Sequence, residues 1–172
     1  RIGYLFGRYD VAFFDLDDAR FSDIREDDTV KNLGKVEIIG IAQIGDSTLT
    51  SIPIAKYDEE AIAVTRRRLK EGAFPRKAGE IALSQAALAQ LRTDASIGDP
   101  VALTLRVPNG DVFLPEAVEK TYTLTGILYD QAIPLVDSNQ MSYDAKDYAM
   151  GMVSSVEQVE PGGRGMITTY AV

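Results

Sequence analysis

Residues 79–91, GEIALSQAALAQL, are the clearest guide to the architecture of this chain. Gly79 to Leu83 forms a short apolar run that is typical of a strand, and Ser84 is a preferred residue type just before a helix. The Ala-rich run that follows has high helix propensity. We therefore predict a strand over Gly79 to Leu83, a helix cap at Ser84 and a helix over Gln85 to Leu91.

Upstream of this unit, the hydrophobic pattern predicts three further strands, because apolar and β-branched residues recur with a period of two between turn residues. These strands are predicted over Tyr9 to Leu16, Val36 to Ile44 and Thr48 to Ala55.

Two more helices are predicted between those strands. The first begins at Asp17 or Asp18, buries Phe21 and Ile24, and ends near Asp28. The second opens at Tyr57 to Glu60, with carboxylates in its first turn, and carries Ile62, Thr65 and Leu69 at helical spacing. The fold class is therefore α+β, and residues 1–95 are predicted to form a split βαββαβ, ferredoxin- or porter-like lobe.

Residues 96–172 are predicted to form a smaller, mostly-β lobe packed on the first as one domain. After Pro100, the apolar residues Val101, Leu103 and Leu105 alternate with others, which predicts a strand, and Pro108 to Asp111 predicts a hairpin. A Thr-rich strand is predicted over Thr121 to Leu128, and a turn at Pro161 to Gly163. The polar segment Ser138 to Ala149 is predicted to be irregular.

Three segments in fixed order resemble the extracytoplasmic domain, the MacB-like periplasmic core, of FtsX/MacB-like ABC transporter permeases. They are Leu69-Lys70-Glu71-Gly72-Ala73-Phe74-Pro75 with Gly79-Glu80-Ile81-Ala82-Leu83-Ser84, then Ile97-Gly98-Asp99-Pro100-Val101-Ala102-Leu103, then Tyr122-Thr123-Leu124-Thr125-Gly126-Ile127. Each segment has a structural explanation, as a capped helix, an Asp turn and a core strand, so none of them indicates catalysis.

This resemblance implies a domain on the extracytoplasmic side of a cell membrane protein, inserted between the first two transmembrane helices of a permease. It implies as partners those transmembrane helices, a separate cytoplasmic ATPase subunit, and a peptide, lipoprotein or extracellular protein. It also implies a binding and coupling function in export or signalling, no cofactor and no enzymatic activity. The Arg at position 1 and the strand-like end of the chain indicate a segment of a longer protein.

The composition excludes several classes of function. The formal net charge of −8 disfavours binding to nucleic acids and to anionic lipids. The lone basic triplet Arg66-Arg67-Arg68 is interpreted as a solvated helix face. The chain has no Cys and no His, which removes thiolate chemistry, the commonest general base and the commonest metal ligand.

Acidic clusters raise two alternatives. Asp15, Asp17 and Asp18, or residues 26–28, could supply oxygen ligands for calcium, but their spacing is not that of an EF-hand and helix capping explains them. Abundant carboxylates also leave a carboxylate-dependent hydrolase as a remote alternative. We predict no catalytic, cofactor or metal site.

Tyr and Met residues in the second lobe are the candidate partner-binding surface, because both side chains suit adaptable contacts. The residues are Met141, Tyr143, Tyr148 and Met150. A plain surface loop is the alternative interpretation of this segment. A free-standing cell-surface interaction module is the alternative to a permease domain.

Overall fold

The computed structural model describes residues 9–45, 47–131 and 149–172, and the side chains of residues 47–51 are not described. These residues form a mixed α/β structure with many strands and few helices. The helices are α1 (Asp18–Arg25), α2 (Glu59–Thr65) and α3 (Gln85–Leu91). The strands are β1 (Val11–Phe14), β2 (Leu33–Ile44), β3 (Ser47–Tyr57), β4 (Leu69–Gly72), β5 (Glu80–Ser84), β6 (Pro100–Arg106), β7 (Pro108–Asn109), β8 (Val112–Phe113), β9 (Val118–Leu128), β10 (Gly151–Val153) and β11 (Met166–Ala171).

Each helix begins directly after a polar capping residue, and the predictions of caps at Asp17 or Asp18 and at Ser84 are confirmed. Asp17, Asp58 and Ser84 precede α1, α2 and α3, and their side-chain oxygens accept hydrogen bonds from the backbone N–H groups of Arg20, Ala61 and Ala87. These caps satisfy donors that have no partner inside the helix. The α1 helix ends earlier than predicted, and Phe21 and Ile24 are half-buried instead of buried.

Six strands close into a ring, here called the six-strand barrel. Around the ring, β2 pairs with β3, β3 with β10, β10 with β5, β5 with β9, and β9 with β6. The ring closes where Ile41 and Ala42 of β2 pair with Arg106 and Leu105 of β6. Closure removes the unpaired edges of the participating strands.

One hydrophobic cluster takes residues from all six barrel strands. Its strand members are Ile39, Ala42, Ile52, Ile54, Ile81, Leu83, Val101, Leu103, Leu105, Tyr122, Leu124 and Val153. The alternation predicted after Pro100 is confirmed here, since Val101, Leu103 and Leu105 are all buried. Ala87 of α3 packs on the same cluster, as the interior of a small barrel must be filled by side chains.

Three further strands extend the sheet beyond the barrel. Strand β11 pairs with the first half of β2 and carries β1 on its other side, while β4 pairs with the far end of β9. A second hydrophobic cluster, with Ala61 and Val64 of α2 packed on Val36, Ala55 and Met152, lies at this part of the sheet. The hairpin predicted at Pro108 to Asp111 is confirmed as the pair β7 and β8.

The split-lobe description is not confirmed. The barrel takes β2, β3 and β5 from residues 1–95 and β6, β9 and β10 from residues 96–172, so the two parts share one hydrophobic core. Also, β11 lies between β1 and β2, where a self-contained βαββαβ lobe would have strands from residues 1–95 alone. The boundary between residues 95 and 96 stays a prediction. Within the described residues, no helix combines the length and the apolar character that crossing a membrane requires.

Candidate functional site

The three segments that carry the sequence resemblance meet at one place in the fold. An added Cβ at Gly72 would lie 2.2 Å from the carbonyl oxygen of Thr125 and 2.9 Å from Cδ1 of Ile97. At Gly126, an added Cβ would lie 2.5 Å from the carbonyl oxygen of Ala73. The segments therefore approach one another too closely for a side chain at these two positions, which explains Gly72 and Gly126 by packing.

Two carboxylates of these segments hold turns in place. Glu80 accepts hydrogen bonds from the backbone N–H groups of Arg76 (2.8 Å) and Lys77 (3.0 Å), and these bonds hold the pKa of its carboxyl below the ordinary value. Asp99 accepts one from the backbone N–H of Ser96 at 2.8 Å. Both residues have local structural roles, and the role of Asp99 is the one that the sequence predicts for the Asp turn.

The basic triplet is not a solvated helix face, and that interpretation was wrong. Helix α2 ends at Arg66, which adopts a left-handed conformation with φ of 53°. Arg67 is only 6% exposed, and Arg68 lies beyond the helix, with its guanidinium 5.3 Å from the centre of the Tyr129 ring. Because the helix stops at Arg66, the three side chains cannot share one exposed helical face.

A small cavity lies beside this triplet, here called the arginine cavity. Its volume is about 170 Å³, and its described lining residues are Arg66, Arg68, Tyr129, Asp130 and Gln131. The first two follow α2, and the other three follow the end of β9. The arginine cavity therefore forms where the end of a helix meets the end of a long barrel strand.

Hydrogen bonds hold the β9 side of the arginine cavity. The Asp130 carboxylate accepts a hydrogen bond of 2.8 Å from the backbone N–H of Ala86, in the first turn of α3. The side chain of Gln131 donates to the carbonyl oxygen of Thr65, and the carbonyl oxygen of Gln131 accepts from Nη1 of Arg67 at 3.2 Å. The cavity wall is therefore tied to both neighbouring helices.

Sequence reasoning missed Tyr129, Asp130 and Gln131. The available signal was their position directly after the Thr-rich strand, since residues at strand ends are often placed at functional sites on a rigid scaffold. Of the predicted partner-binding residues, Met150 is 2% exposed and packs in the second hydrophobic cluster, so it is not on the surface. Met141, Tyr143 and Tyr148 lie outside the described residues.

The acidic clusters have structural partners. Asp17 caps α1, Asp15 forms an ion pair of 3.0 Å with Arg164, and Asp27 accepts hydrogen bonds from the backbone and side chain of Thr29. Those two bonds hold the pKa of the Asp27 carboxyl below its ordinary value. Across residues 9–45, 47–131 and 149–172, no three acidic side chains are grouped as a metal site would require.

Comparison with protein-family models and with curated protein sequences gives no match. Comparison with solved structures gives matches. The periplasmic region of MacB from Actinobacillus actinomycetemcomitans aligns with 93% of this chain and 66% of its own length, at 13% identity and a TM-score of 0.52. The extracellular domain of the noncanonic ABC-type transporter YknZ from Gram-positive bacteria also aligns. The alignment covers 96% of this chain and 80% of the YknZ chain, at 11% identity and a TM-score of 0.51. The chain has the MacB-like periplasmic fold.

A domain of a putative permease from Porphyromonas gingivalis also aligns, over 98% of this chain and 69% of its own, at 13% identity and a TM-score of 0.48. The MacB and YknZ comparisons confirm, at the level of the fold, the resemblance deduced from the three sequence segments. The absence of enzymatic activity stays a prediction. This chain spans about two thirds of the MacB periplasmic region.

Proposed function

We propose that this chain is the extracytoplasmic domain of an FtsX/MacB-like ABC transporter permease. In this role it binds a substrate or partner and couples that binding to conformational change in the transmembrane helices. The observation that carries the proposal is the MacB-like periplasmic fold, which extends over 93% and 96% of the chain in the MacB and YknZ comparisons. The order of the three sequence segments supports the same function.

The partners follow from that proposal. They are the transmembrane helices of the same permease, a separate cytoplasmic ATPase subunit, and a peptide, lipoprotein or extracellular protein outside the membrane. The domain itself would lie on the extracytoplasmic side of the cell membrane. A negative formal charge of −8 argues against nucleic acid as a partner.

The six-strand barrel suits a coupling function. Its strands are joined by a continuous ladder, and its core takes residues from every strand of the ring. A close-packed core of this kind moves as a unit and transmits displacement with little internal deformation. A ligand that contacts the end of β9 would therefore act on the whole barrel.

The proposal is tested in the intact protein encoded by the parent gene. We expect an apolar helix of about 20 residues on each side of this domain, and reporter fusions that place the domain outside the cytoplasm. We also expect co-purification with an ATPase whose hydrolysis rate in lipid nanodiscs changes when the domain is deleted. Absence of flanking helices, or a cytoplasmic reporter signal, would refute the proposal and favour a free-standing cell-surface module.

The hydrolase alternative gains no support from the arginine cavity. Asp130 is the single carboxylate among the described lining residues, whereas glycoside hydrolysis needs two carboxylates across a cleft. Asp130 is also engaged by the N–H of Ala86.

A further inference from the structure

We propose that the arginine cavity is a binding site for a carboxylate group, presented by an acidic side chain of a peptide or protein partner. The proposal deepens the function proposed above and depends on it for its biological role. The binding itself depends only on the residues around the cavity, so the two proposals can fail separately.

The first observation is an excess of unpaired positive charge. Arg66 and Arg68 are exposed and line the cavity, and within the described residues neither forms an ion pair with a carboxylate. Two neighbouring guanidinium groups on an acidic protein form a local attraction for an anion.

The second observation is the buried arginine behind the cavity. Arg67 is 6% exposed, its Nη1 donates to the carbonyl oxygen of Gln131, and its Nε has no hydrogen-bond partner. Its guanidinium carbon also lies 5.8 Å from the centre of the Tyr57 ring. A buried cation is normally paired with a carboxylate, and here no described carboxylate pairs with it. Its charge adds to the positive potential near Gln131.

The Tyr129 ring prepares Arg68 for an anion. A guanidinium that lies over an aromatic ring contacts the ring through the flat face of the guanidinium. The N–H groups at the edge of the guanidinium stay available for hydrogen bonds. That edge matches the two oxygens of a carboxylate, which can accept two parallel hydrogen bonds. The stacked arrangement therefore reduces the loss of side-chain freedom on binding.

Charge and size favour a carboxylate over a larger anion. Asp130 also lines the cavity, and its carboxylate repels a dianionic phosphate more strongly than it repels a monoanion. The volume of about 170 Å³ corresponds to roughly five or six water molecules, below the several hundred Å³ of typical drug-sized ligand sites. One side-chain head group fits this space.

The test uses the 172-residue chain and three probes. They are the capped tripeptide acetyl-Gly-Glu-Gly-amide, its neutral match acetyl-Gly-Gln-Gly-amide, and inorganic phosphate. Binding is followed by NMR through the backbone amides of Tyr129 and Gln131 and the guanidinium Nε–H of Arg68. We expect the Glu peptide to shift these signals saturably, with at least about tenfold tighter binding than the Gln peptide or phosphate.

Two variants locate the site. Arg68→Gln is expected to weaken binding of the Glu peptide by about tenfold. Arg106→Gln is the matched control, because Arg106 also stacks on an aromatic ring, 4.1 Å from the centre of Phe113, but does not line the cavity. It should bind the Glu peptide like the wild type.

Several results would overturn the assignment. Equal binding of the Glu and Gln peptides would show that charge is not recognised, and tighter binding of phosphate would show a phosphate site. Unchanged affinity in Arg68→Gln, or shifts that map elsewhere, would show that the cavity is not the site. Binding in the isolated chain without flanking transmembrane helices in the parent gene would support the cavity and refute only the permease function.

Discussion

Ser84 and Met150 are joined by two hydrogen bonds. The backbone N–H of Ser84 donates to the carbonyl oxygen of Met150, and the N–H of Met150 donates to the Ser84 hydroxyl oxygen, each at 3.0 Å. The same hydroxyl oxygen accepts the N–H of Ala87 at 3.2 Å and so caps α3. One buried side chain therefore links a helix start to the segment that leads into β10.

Replacement of Ser84 by Ala should destabilise the fold by about 2–3 kcal/mol, because it removes a helix cap and leaves the buried N–H of Met150 without a partner. Urea unfolding measures this change. The control is Asp17→Ala, which removes an exposed cap only and should cost about 1 kcal/mol or less. A loss in Ser84→Ala no larger than in the control would contradict the double role of Ser84.

Replacement of Gly126 by Ala should destabilise the fold by about 2 kcal/mol or more, since the new Cβ would collide with the Ala73 carbonyl oxygen and with Cδ2 of Leu69 at 2.7 Å. Gly45→Ala is the control. Gly45 has φ of 58° and open space around its Cβ position, so only the backbone conformation is penalised, by about 1 kcal/mol. Thermal or urea unfolding that ranks the two variants equally would refute the close approach of the Ala73 segment to β9.

The stability contribution of Glu80 should depend on pH. Its folded pKa lies below its unfolded value of about 4.3, so its contribution is present above that value and is lost as the pH falls through the folded pKa. Glu80→Gln should therefore be less stable than wild type near neutral pH, with the difference shrinking in acid. Urea midpoints measured across this range test the prediction.

Glu116→Gln is the control for that experiment, because Glu116 is exposed and accepts no hydrogen bond within the described residues. It removes the same charge and should show little change at either pH. If Glu80→Gln and Glu116→Gln show the same stability at each pH, the hydrogen bonds from Arg76 and Lys77 contribute nothing to the stability of the fold.

Replacement of Tyr122 by Phe should leave stability unchanged or raise it by up to about 1 kcal/mol. The Tyr122 hydroxyl is buried and has no hydrogen-bond partner, and burial, with the nearby Glu157 and Glu160, raises its pKa well above the ordinary value. The neutral hydroxyl thus loses its hydration without compensation. A loss of more than about 1 kcal/mol in the free energy of unfolding, measured with urea, would reveal a hydrogen bond at this hydroxyl. The control is Tyr129→Phe, which changes an exposed tyrosine and should leave the stability unchanged.

Local features of the fold were predictable from the sequence because they depend on neighbouring residues. The cap at Ser84 is confirmed, and so is the Thr-rich strand, in which Tyr122, Leu124 and Leu128 are buried. Each requires only a polar oxygen next to a free N–H, or a strand with one buried face.

Leu69 shows where local pattern misleads. It fits the helical spacing of Ile62 and Thr65, yet it lies in β4. The N–H groups of Arg66 and Arg67 turn back to the carbonyls of Ala63 and Ile62, which ends the helix without the glycine that usually marks such a stop. An arginine in a left-handed conformation gives no signal in the sequence.

The barrel and the arginine cavity were beyond prediction for a different reason. Strand order along the chain does not determine which strands are neighbours, and β10 lies between β3 and β5 although it follows them by many residues. The arginine cavity likewise joins Arg66 and Arg68 to Tyr129 only because β4 pairs with the end of β9. Both features depend on long-range pairing, which a single sequence does not reveal.

The position of β10 also constrains how this protein is made. Its insertion between β3 and β5 means that the barrel is incomplete on the ribosome until Gly151 to Val153 has been synthesised. Until then β3 and β5 have unpaired edges that can join a neighbouring nascent chain. The ring is therefore completed only after β10 has been synthesised, at the slow rate typical of distant strand pairing.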